Sequence, residues 1–506
     1  MIENVTADLP TLEVDGSPAK VLVTGATGYI GGRLIRELLT HDYRVRVLVR
    51  DKNKLADYPF VDRLEIIEGD AMDPAALDMA LDGVHVAYYL LHALMTPNDF
   101  EDAEAKMARL FGESANRQKL QRIIYLGGIT SDEKLSPHMA ARKETGEILR
   151  ASGVPTIELR AGVVIGSGSA SFEMLRHLTE RLPIMVTPKW LKNRIQPIAI
   201  RDVLRYLVGA ATIDKSVTGD FDIAGPDIFT YMEMMHKYAE VAGLPRRIII
   251  PLPVLTPKLA SGWVGLVTPV PVTLAKRLVA SLKHEVVARN DDIRKYVPDA
   301  PGGRTGFKRA VELALTRVKD LEVETRWSNA NIPGTHSEPL PTDPDWAGGS
   351  LYVDLRQYIS NDTQQEVWER IESIGGVNGY STATWAWELR GLMDKVVGGV
   401  GLRRGRRDPN HLIQGEALDF WRVEEIIRPE LLRLRAEMKM PGLAWLEFKT
   451  SVLPNGKTLL VQKAYYHPRG LAGHAYWAAV SFMHGIVFPS MAKKLAGKGA
   501  TKAPKS

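Results

Sequence analysis

The segment from Lys20 to Arg50 constrains the fold more than any other part of this chain; it reads KVLVTGATGYIGGRLIRELLTHDYRVRVLVR. It begins with a short apolar and β-branched run that predicts a buried strand. Gly25, Gly28 and Gly31 follow at three-residue spacing, and an amphipathic helix and a second strand come after them. Glycines in this pattern allow a sharp turn and a close approach to a pyrophosphate, which binds the free N–H groups at the helix N-terminus. The segment therefore predicts a dinucleotide-binding βαβ unit.

The alternation of strand and helix continues beyond Arg50. Further strands are predicted at residues 64–68, 85–91, 122–126 and 156–159, with a helix between each strand and the next. This order predicts an α/β fold with a doubly wound parallel sheet and helices on both faces. After Gly162 the regularity loosens, and the apolar, proline-rich segment Ile248–Leu282 is interpreted as a lid on the substrate side of the sheet.

The pattern changes after a polar, proline-rich linker at residues 326–349. A strand and two short helices are followed by four consecutive strands, with the hairpin turn Pro454-Asn455-Gly456, and by a long helix from Leu471 to Leu495. This order predicts a separate α+β domain in which a sheet curls around a helix and encloses an apolar cavity. We predict five parts: a disordered arm (1–17), a nucleotide-binding domain (18–325, with a lid from about 162), a linker (326–349), a ligand-binding domain (350–496) and a disordered basic tail (497–506).

Composition narrows the classes of function. The net charge of +5 comes from 65 basic and 60 acidic residues, an excess too slight to call for a nucleic acid partner. The absence of cysteine excludes disulfides and thiolate sites, and the histidines of the second half lack a shared metal-ligand spacing, so no metal site is predicted. The acidic start is not a signal peptide, and no window offers about 18 uninterrupted apolar residues. We expect a cytoplasmic protein. The sequence leaves open the alternative that Ile248–Leu282 and Trp477–Pro489 lie against a membrane surface.

With TGATGYIG, Gly69-Asp70 and LRAGVVIGSGS in view, the chain before the linker resembles the atypical short-chain dehydrogenase/reductase family, closest to its NmrA-like, NAD(P)-binding Rossmann branch. After the linker, GGSLYVDLR, GGVGLRRGRRDP, LDFWRVE, LRLRAEMKMPGLAWLEF and YYHPRGLAGHAYW resemble an uncharacterised domain that bacteria fuse to such proteins. The layout of that domain resembles the START-like helix-grip fold, whose members commonly hold lipids or other apolar ligands.

The resemblance implies which residues hold the cofactor. It places the pyrophosphate along the glycine turn, the adenine at Asp70 and the riboses at strand ends. The residues implied are Gly25, Thr27, Gly28, Tyr29, Ile30, Gly31, Asp70, Leu90, Leu91 and Gly127. At the end of the second strand, an acidic residue would bind a ribose 2′-hydroxyl, but this chain has Arg50, whose guanidinium suits a 2′-phosphate. NADP(H) is therefore favoured over NAD(H). The acidic neighbour of Arg50, Asp51, argues against this preference.

The chain departs from the family at the catalytic residues. Hydride-transferring members pair a tyrosine with a lysine four residues later, and this chain has His138 and Arg142 in those places. A histidine could protonate a substrate oxygen near neutral pH, whereas an arginine keeps its proton and could only bind an anion or a ribose. The alternative is that His138 simply begins a helix and Arg142 pairs with Glu147 or a phosphate.

Four arginines lie within five positions of the second half: Arg403, Arg404, Arg406 and Arg407. They predict either an anion site or a solvated basic turn whose charge nearby glutamates balance.

The leading hypothesis is an NADP(H)-binding oxidoreductase that acts on an apolar or amphipathic small molecule of the quinone, enone or ketone class, held partly by the second domain. One alternative is a non-catalytic protein that senses NADP(H) and binds a lipid-like ligand. The other is a scaffold or assembly factor on a membrane surface.

Overall fold

The computed structural model describes residues 5–56, 58–92, 100–130, 135–252, 279–280, 283–319, 351–380, 408 and 410–503. The chain divides into two compact units, Met1–Gly349 and Ser350–Ser506. The predicted helix at residues 384–397 and the four clustered arginines lie outside the described residues, as does most of the predicted lid segment.

The first unit is built on a βα alternation, as the sequence predicts. Its strands are β1 (Glu13–Val14), β2 (Ser17–Pro18), β3 (Lys20–Thr24), β4 (Arg44–Val49), β5 (Glu65–Glu68), β6 (Val86–Tyr89), β7 (Arg122–Gly128), β8 (Thr156–Ala161), β9 (Val164–Ile165), β10 (Ile184–Pro188), β11 (Arg194–Ile195), β12 (Ile198–Ala199), β13 (Gly219–Ile223), β14 (Phe229–Thr230) and β15 (Ile248–Leu252). Its α-helices are α1 (Tyr29–Thr40), α2 (Pro74–Leu81), α3 (Phe100–Arg117), α4 (Pro137–Arg150), α5 (Ala170–Arg181), α6 (Ile200–Ala210), α7 (Tyr231–Val241) and α8 (Phe307–Lys319).

Seven of these strands form one parallel sheet in the order β13-β8-β7-β6-β3-β4-β5. The order reverses between β3 and β6, and ligands of open α/β sheets bind in the crevice beyond the carboxyl ends of the strands at such a point. The predicted doubly wound parallel fold is therefore confirmed.

Helices cover both faces of this sheet because successive residues of a strand point to opposite sides. Val21 and Val23 of β3 belong to a core shared with Leu34 of α1 and Leu204 of α6. Leu22, between those two valines, belongs instead to the core built with α2, α3 and α4.

Beyond β8 the chain builds a smaller substrate-side region with its own core, which contains residues of α5, α7 and α8. In α5 every residue from Phe172 to Thr179 is buried. The described start of the predicted lid, Ile248–Leu252, is β15, which pairs in parallel with β10.

The second unit contains a separate antiparallel sheet, as predicted. Its elements are β16 (Tyr352–Ser360), α9 (Gln364–Glu372), β17 (Ala417–Leu418), β18 (Trp421–Ile427), β19 (Leu431–Ala436), β20 (Gly442–Val452), β21 (Thr458–Pro468), α10 (Gly470–Ala496) and β22 (Thr501–Lys502). The strand order is β17-β18-β19-β20-β21-β16-β22. Apolar residues of both α9 and α10 share one core with the strands, so both helices pack on the same face of the sheet.

Both ends of the chain differ from the disordered arm and tail that the sequence predicts. Residues 5–17 are ordered because Thr6 is buried and donates to Glu37 (2.8 Å), and because Asp8 accepts from the buried Arg205 (2.6 Å). At the other end, β22 pairs with β16 and satisfies part of a sheet edge that would otherwise be open. Residues at both ends of the chain thus make specific contacts within their own units.

Among the helices that the structure describes, none combines the length and the apolar character that a membrane crossing needs.

Candidate functional site

The glycine turn after β3 is wedged against the end of β6. Gly25 has a φ of +69°, and a Cβ on it would be 2.6 Å from the carbonyl oxygen of Leu90. A Cβ on Gly31 would be 2.2 Å from the carbonyl oxygen of Gly25. Thr24 ties the same two strand ends together, since its Oγ1 donates to the Tyr88 carbonyl (3.0 Å) and accepts from the Leu90 N–H (3.1 Å). The backbone is thus held in a tight cradle that no larger residue could occupy.

Helix α1 begins directly behind this turn. Its N-cap is Gly28, and within the described residues no side chain bonds to the first-turn N–H groups from that position. Thr27 is half-buried and Gly28 is exposed, so this end of α1 is accessible, while Ile30 packs on the core. Free N–H groups and the positive end of the helix dipole suit a pyrophosphate. The cradle fits the pyrophosphate of the dinucleotide that the sequence predicts.

Tyr29, the first residue of α1, also makes structural contacts outside the glycine turn. Its ring lies under the guanidinium of Arg33 (4.1 Å to the ring centre), and its Oη fills the space where a Cβ of Gly166 would lie. Arg33 donates to the carbonyl oxygens of Tyr29 (3.1 Å) and Ser167 (3.4 Å). Tyr29 and Arg33 therefore connect the nucleotide turn to the loop after β9.

The end of β4 carries the two residues that the sequence predicts to discriminate between NAD(H) and NADP(H). Arg50 is exposed and makes no hydrogen bond or ion pair within the part of the chain that the structure describes. The neighbouring Asp51 is engaged, because its Oδ1 accepts from the N–H of Asn53 (3.0 Å) at the start of a short 3₁₀ turn. Arg50 is thus available to a ligand, whereas the carboxylate of Asp51 already has a structural role.

Asp70 lies just after β5, at the same carboxyl edge of the sheet. Its Oδ1 accepts from the N–H of Met72 (2.8 Å), which forms a local turn. The cap of α2 is a different residue, Asp73, which accepts from Ala75 (3.0 Å). Asp70 is therefore not the helix cap, and it is exposed at the edge where the resemblance places an adenine.

The predicted catalytic pair lies on the first two turns of α4, which Ser136 caps. Arg142 reaches back to the end of β7, where its Nη2 donates to the carbonyl oxygen of Leu126. Its guanidinium lies over the ring of Tyr125 (5.6 Å), whose hydroxyl donates to the Arg142 carbonyl (3.1 Å). Glu147 pairs instead with Lys143 (3.3 Å), so the alternative of an Arg142–Glu147 ion pair was wrong.

The surroundings of this pair are closely packed. A Cβ on Gly127 would be 2.8 Å from Oε1 of the buried Glu158, so a larger residue there would require the Glu158 side chain to shift. Thr130 is buried. Burial raises the pKa of Tyr125 and Tyr89, and both phenols therefore stay protonated at neutral pH.

Two residues at this edge, His92 and Glu104, are not among the site residues that the sequence predicts. His92 follows β6 by three residues, and its ring stacks on that of His138 with centres 5.0 Å apart and planes 19° apart. Its Nδ1 lies 2.6 Å from Oε1 of Glu104, a buried residue of α3. The structure thus brings two imidazoles and a carboxylate together at the ends of β6, α3 and α4.

A sequence signal for this cluster existed. A histidine placed just past the end of a predicted strand lies at the edge where parallel sheets bind ligands. Glu104 gave a weaker signal, since a glutamate early in an amphipathic helix is usually solvent-exposed.

In the second unit, α10 faces β16 and β21 through aromatic and polar residues. Trp477 stacks on Tyr352 (5.0 Å) and on Tyr466 (5.6 Å). Farther along α10, burial lowers the pKa of His484 to about 4, so its ring is neutral at pH 7. Gln462 is also buried here, and its Oε1 has no hydrogen-bond partner among the described residues.

Comparison with known proteins gives matches for both units. Residues 25–171 match a family model described as NAD(P)H-binding, and residues 346–491 match one described as a protein of unknown function, DUF2867. A ceramide reductase of Caulobacter vibrioides is 30% identical over 239 residues, which cover 46% of this chain and 74% of that protein.

Two further matches are to proteins named as reductases. A (4-alkanoyl-5-oxo-2,5-dihydrofuran-3-yl)methyl phosphate reductase of Streptomyces griseus is 26% identical over 235 residues, which cover 45% of this chain and 75% of that protein. The structure of a Citrobacter triphenylmethane reductase complexed with NADP(H) matches with 21% identity and a TM-score of 0.46, covering 58% of this chain and 99% of that one.

Proposed function

Because the chain belongs to the NmrA-like, NAD(P)H-binding branch of the atypical short-chain dehydrogenase/reductase family, we propose that it is an NADP(H)-dependent reductase. The observation that carries the proposal is the cradle of Gly25 and Gly31 in front of the accessible start of α1. A Cβ at Gly25 would clash with the carbonyl oxygen of Leu90 and one at Gly31 with that of Gly25, so a larger residue at either position would displace the backbone of the turn. The reaction class is hydride transfer to or from a carbonyl or conjugated alkene.

The preference for NADP(H) rests on the end of β4. Arg50 is exposed and has no partner among the described residues, whereas the carboxylate of Asp51 is used in a local turn. The charge that a 2′-phosphate would meet first is therefore positive.

The substrate is proposed to be apolar or amphipathic, of the quinone, enone or ketone class. The Caulobacter relative is named for a ceramide, an amphipathic lipid, which favours a substrate of this kind. Turnover can be tested by following the absorbance of reduced nicotinamide with a panel of quinones, enones and long-chain ketones. Loss of NADPH absorbance with one class of these compounds is expected, and tight NADPH binding without any turnover would contradict the proposal.

The second unit is proposed to have a START-like helix-grip fold that binds a molecule of the same class. Support comes from the stack of Tyr352, Trp477 and Tyr466 together with the neutral His484 and the buried amide of Gln462. Aromatic walls with a few neutral polar groups suit an apolar ligand that carries a hydroxyl or carbonyl. Native mass spectrometry of the protein as purified should detect such a ligand, and a protein that carries none and binds none from the panel would contradict this proposal.

A non-catalytic sensor of NADP(H) is the second candidate. It is favoured by Arg142, which stands in the place of the family's lysine and is bonded to the Leu126 carbonyl. It predicts tight NADPH binding that changes the affinity of the second unit for its ligand, with no turnover.

A membrane-surface scaffold is the third candidate, favoured by exposed apolar residues on α10. Leu471, Phe482 and Ile486 are 52%, 73% and 52% exposed. This candidate predicts flotation of the protein with anionic liposomes, and its failure to float would exclude the candidate.

A further inference from the structure

We propose that His92, held by Glu104, is the acid–base group of this site, and that His138 is the positioning residue stacked against it. This inference rests on the proposed reductase function and reassigns the proton donor that the sequence places at His138. It follows from the positions of three side chains on three different elements.

His92 is close to the nucleotide cradle along the backbone. It lies two residues after Leu90, whose carbonyl oxygen packs against Gly25. Its side chain is 20% exposed, so the ring is largely enclosed but reachable. An acid–base group of a reductase has to combine these two properties, because it must meet a substrate next to the nicotinamide while excluding most of the water.

Glu104 fixes the orientation and the tautomer of this ring. The 2.6 Å contact joins its Oε1 to Nδ1 of His92, and its side chain is only 6% exposed. A carboxylate only accepts hydrogen bonds, so Nδ1 carries a hydrogen and Nε2 is the nitrogen that gains and loses the proton. The buried negative charge also stabilises the imidazolium form.

The stacked ring of His138 decides which histidine holds the proton. Two imidazolium rings 5.0 Å apart would repel each other, so the pair holds one proton at a time. The carboxylate contacts His92, which places that proton there. Among the described residues, the neighbouring ionisable groups include Arg142, Arg150, Glu158 and the buried phenols of Tyr89 and Tyr125.

Reduced nicotinamide, when bound, would supply a hydride to the carbonyl carbon of the substrate and would itself be oxidised. The electron pair of the C–O double bond moves to the oxygen, which takes the proton from Nε2 of His92. The imidazolium becomes a neutral imidazole that solvent protonates again.

The test is ¹⁵N NMR of the imidazoles in the full-length protein without cofactor, comparing wild type with Glu104→Gln. We expect His92 to carry its hydrogen on Nδ1 and to titrate at a midpoint about one unit or more higher in wild type than in the variant. His85 is the internal control, since it lies at the opposite end of β6 and its Nδ1 accepts from the Lys20 N–H (3.1 Å). An unchanged His92 midpoint would overturn the proposal.

Kinetics separate the two histidines. His92→Asn should lower kcat by about 100-fold or more with an unchanged Kd for NADPH, whereas His138→Asn should lower kcat less and raise KM. A larger kcat loss from His138→Asn would overturn the assignment. If wild type binds no NADPH, the proposed function fails, while the NMR comparison still decides whether Glu104 controls His92.

Discussion

The carbonyl oxygen of Gly25 lies 2.2 Å from the point where a Cβ of residue 31 would begin, so the first turn of α1 presses directly on the nucleotide turn. This contact joins two backbones, and no side chain can move aside to relieve it. A methyl group at residue 31 would therefore have to displace the cradle itself.

Gly31→Ala should weaken NADPH binding more than it weakens the fold. Overpacking of this kind costs about 1–3 kcal/mol, and we expect the affinity for NADPH to fall by about tenfold or more. Titration calorimetry measures this change. Gly28→Ala, whose Cβ would be 3.1 Å from the same oxygen, should lose less, and Gly485→Ala, where nothing lies within 4 Å, should lose nothing. Equal losses for Gly28→Ala and Gly31→Ala would show that the close contact is not the cause.

Arg50→Asp should reverse the cofactor preference. A charge-assisted hydrogen bond to a phosphate contributes about 1.5–3 kcal/mol, so NADPH should bind about tenfold or more weakly while NADH is little affected. Lys54→Asp is the matched control, because it removes the same charge from an exposed residue of the following 3₁₀ turn. If Arg50→Asp lowered the affinities for NADPH and NADH equally, Arg50 would not be the residue that recognises the 2′-phosphate.

The ordered N-terminal arm predicts a pH-dependent contribution to stability. The hydrogen bonds from Arg205 hold the pKa of Asp8 below its ordinary value of 3.8. A lowered carboxyl pKa stabilises the folded state above pH 3.8, and this contribution disappears as pH falls through the folded-state pKa. Because the Asp8 side chain is 46% exposed, we expect Asp8→Asn to cost only about 1 kcal/mol at pH 7.

Thermal unfolding at pH 7 and near pH 3 measures this contribution. The difference between wild type and Asp8→Asn should shrink at the lower pH. Asp15→Asn is the control, because Asp15 is an exposed turn residue with a φ of +52°, a conformation that asparagine also adopts. A difference for Asp8→Asn that is the same at both pH values would contradict the ion pair as its source.

The glycine turn, the alternation of strands and helices and the antiparallel second unit could be predicted because their signals are local. Glycine spacing, strand length and hairpin residues each act within a short stretch of chain. The arm could not be predicted, since its order depends on Arg205, 197 positions from Asp8. The contact of His92 with Glu104 was hidden for a related reason. It depends on how α3 packs beside the end of β6, and helical periodicity alone does not determine that packing.

His484 predicts a loss of stability at mildly acidic pH that a single substitution should remove. Burial lowers its pKa to about 4, whereas the unfolded chain has an ordinary histidine pKa of 6.5. Between these values the unfolded chain binds the extra proton, so stability falls as pH drops from 6.5 towards 4 and levels off below it. The full shift corresponds to about 3 kcal/mol, and His484→Phe should flatten that slope. Urea unfolding followed by tryptophan fluorescence at several pH values measures it, and His411→Gln, whose side chain is 73% exposed, should keep the wild-type slope. A slope that survives in His484→Phe would place the responsible group elsewhere.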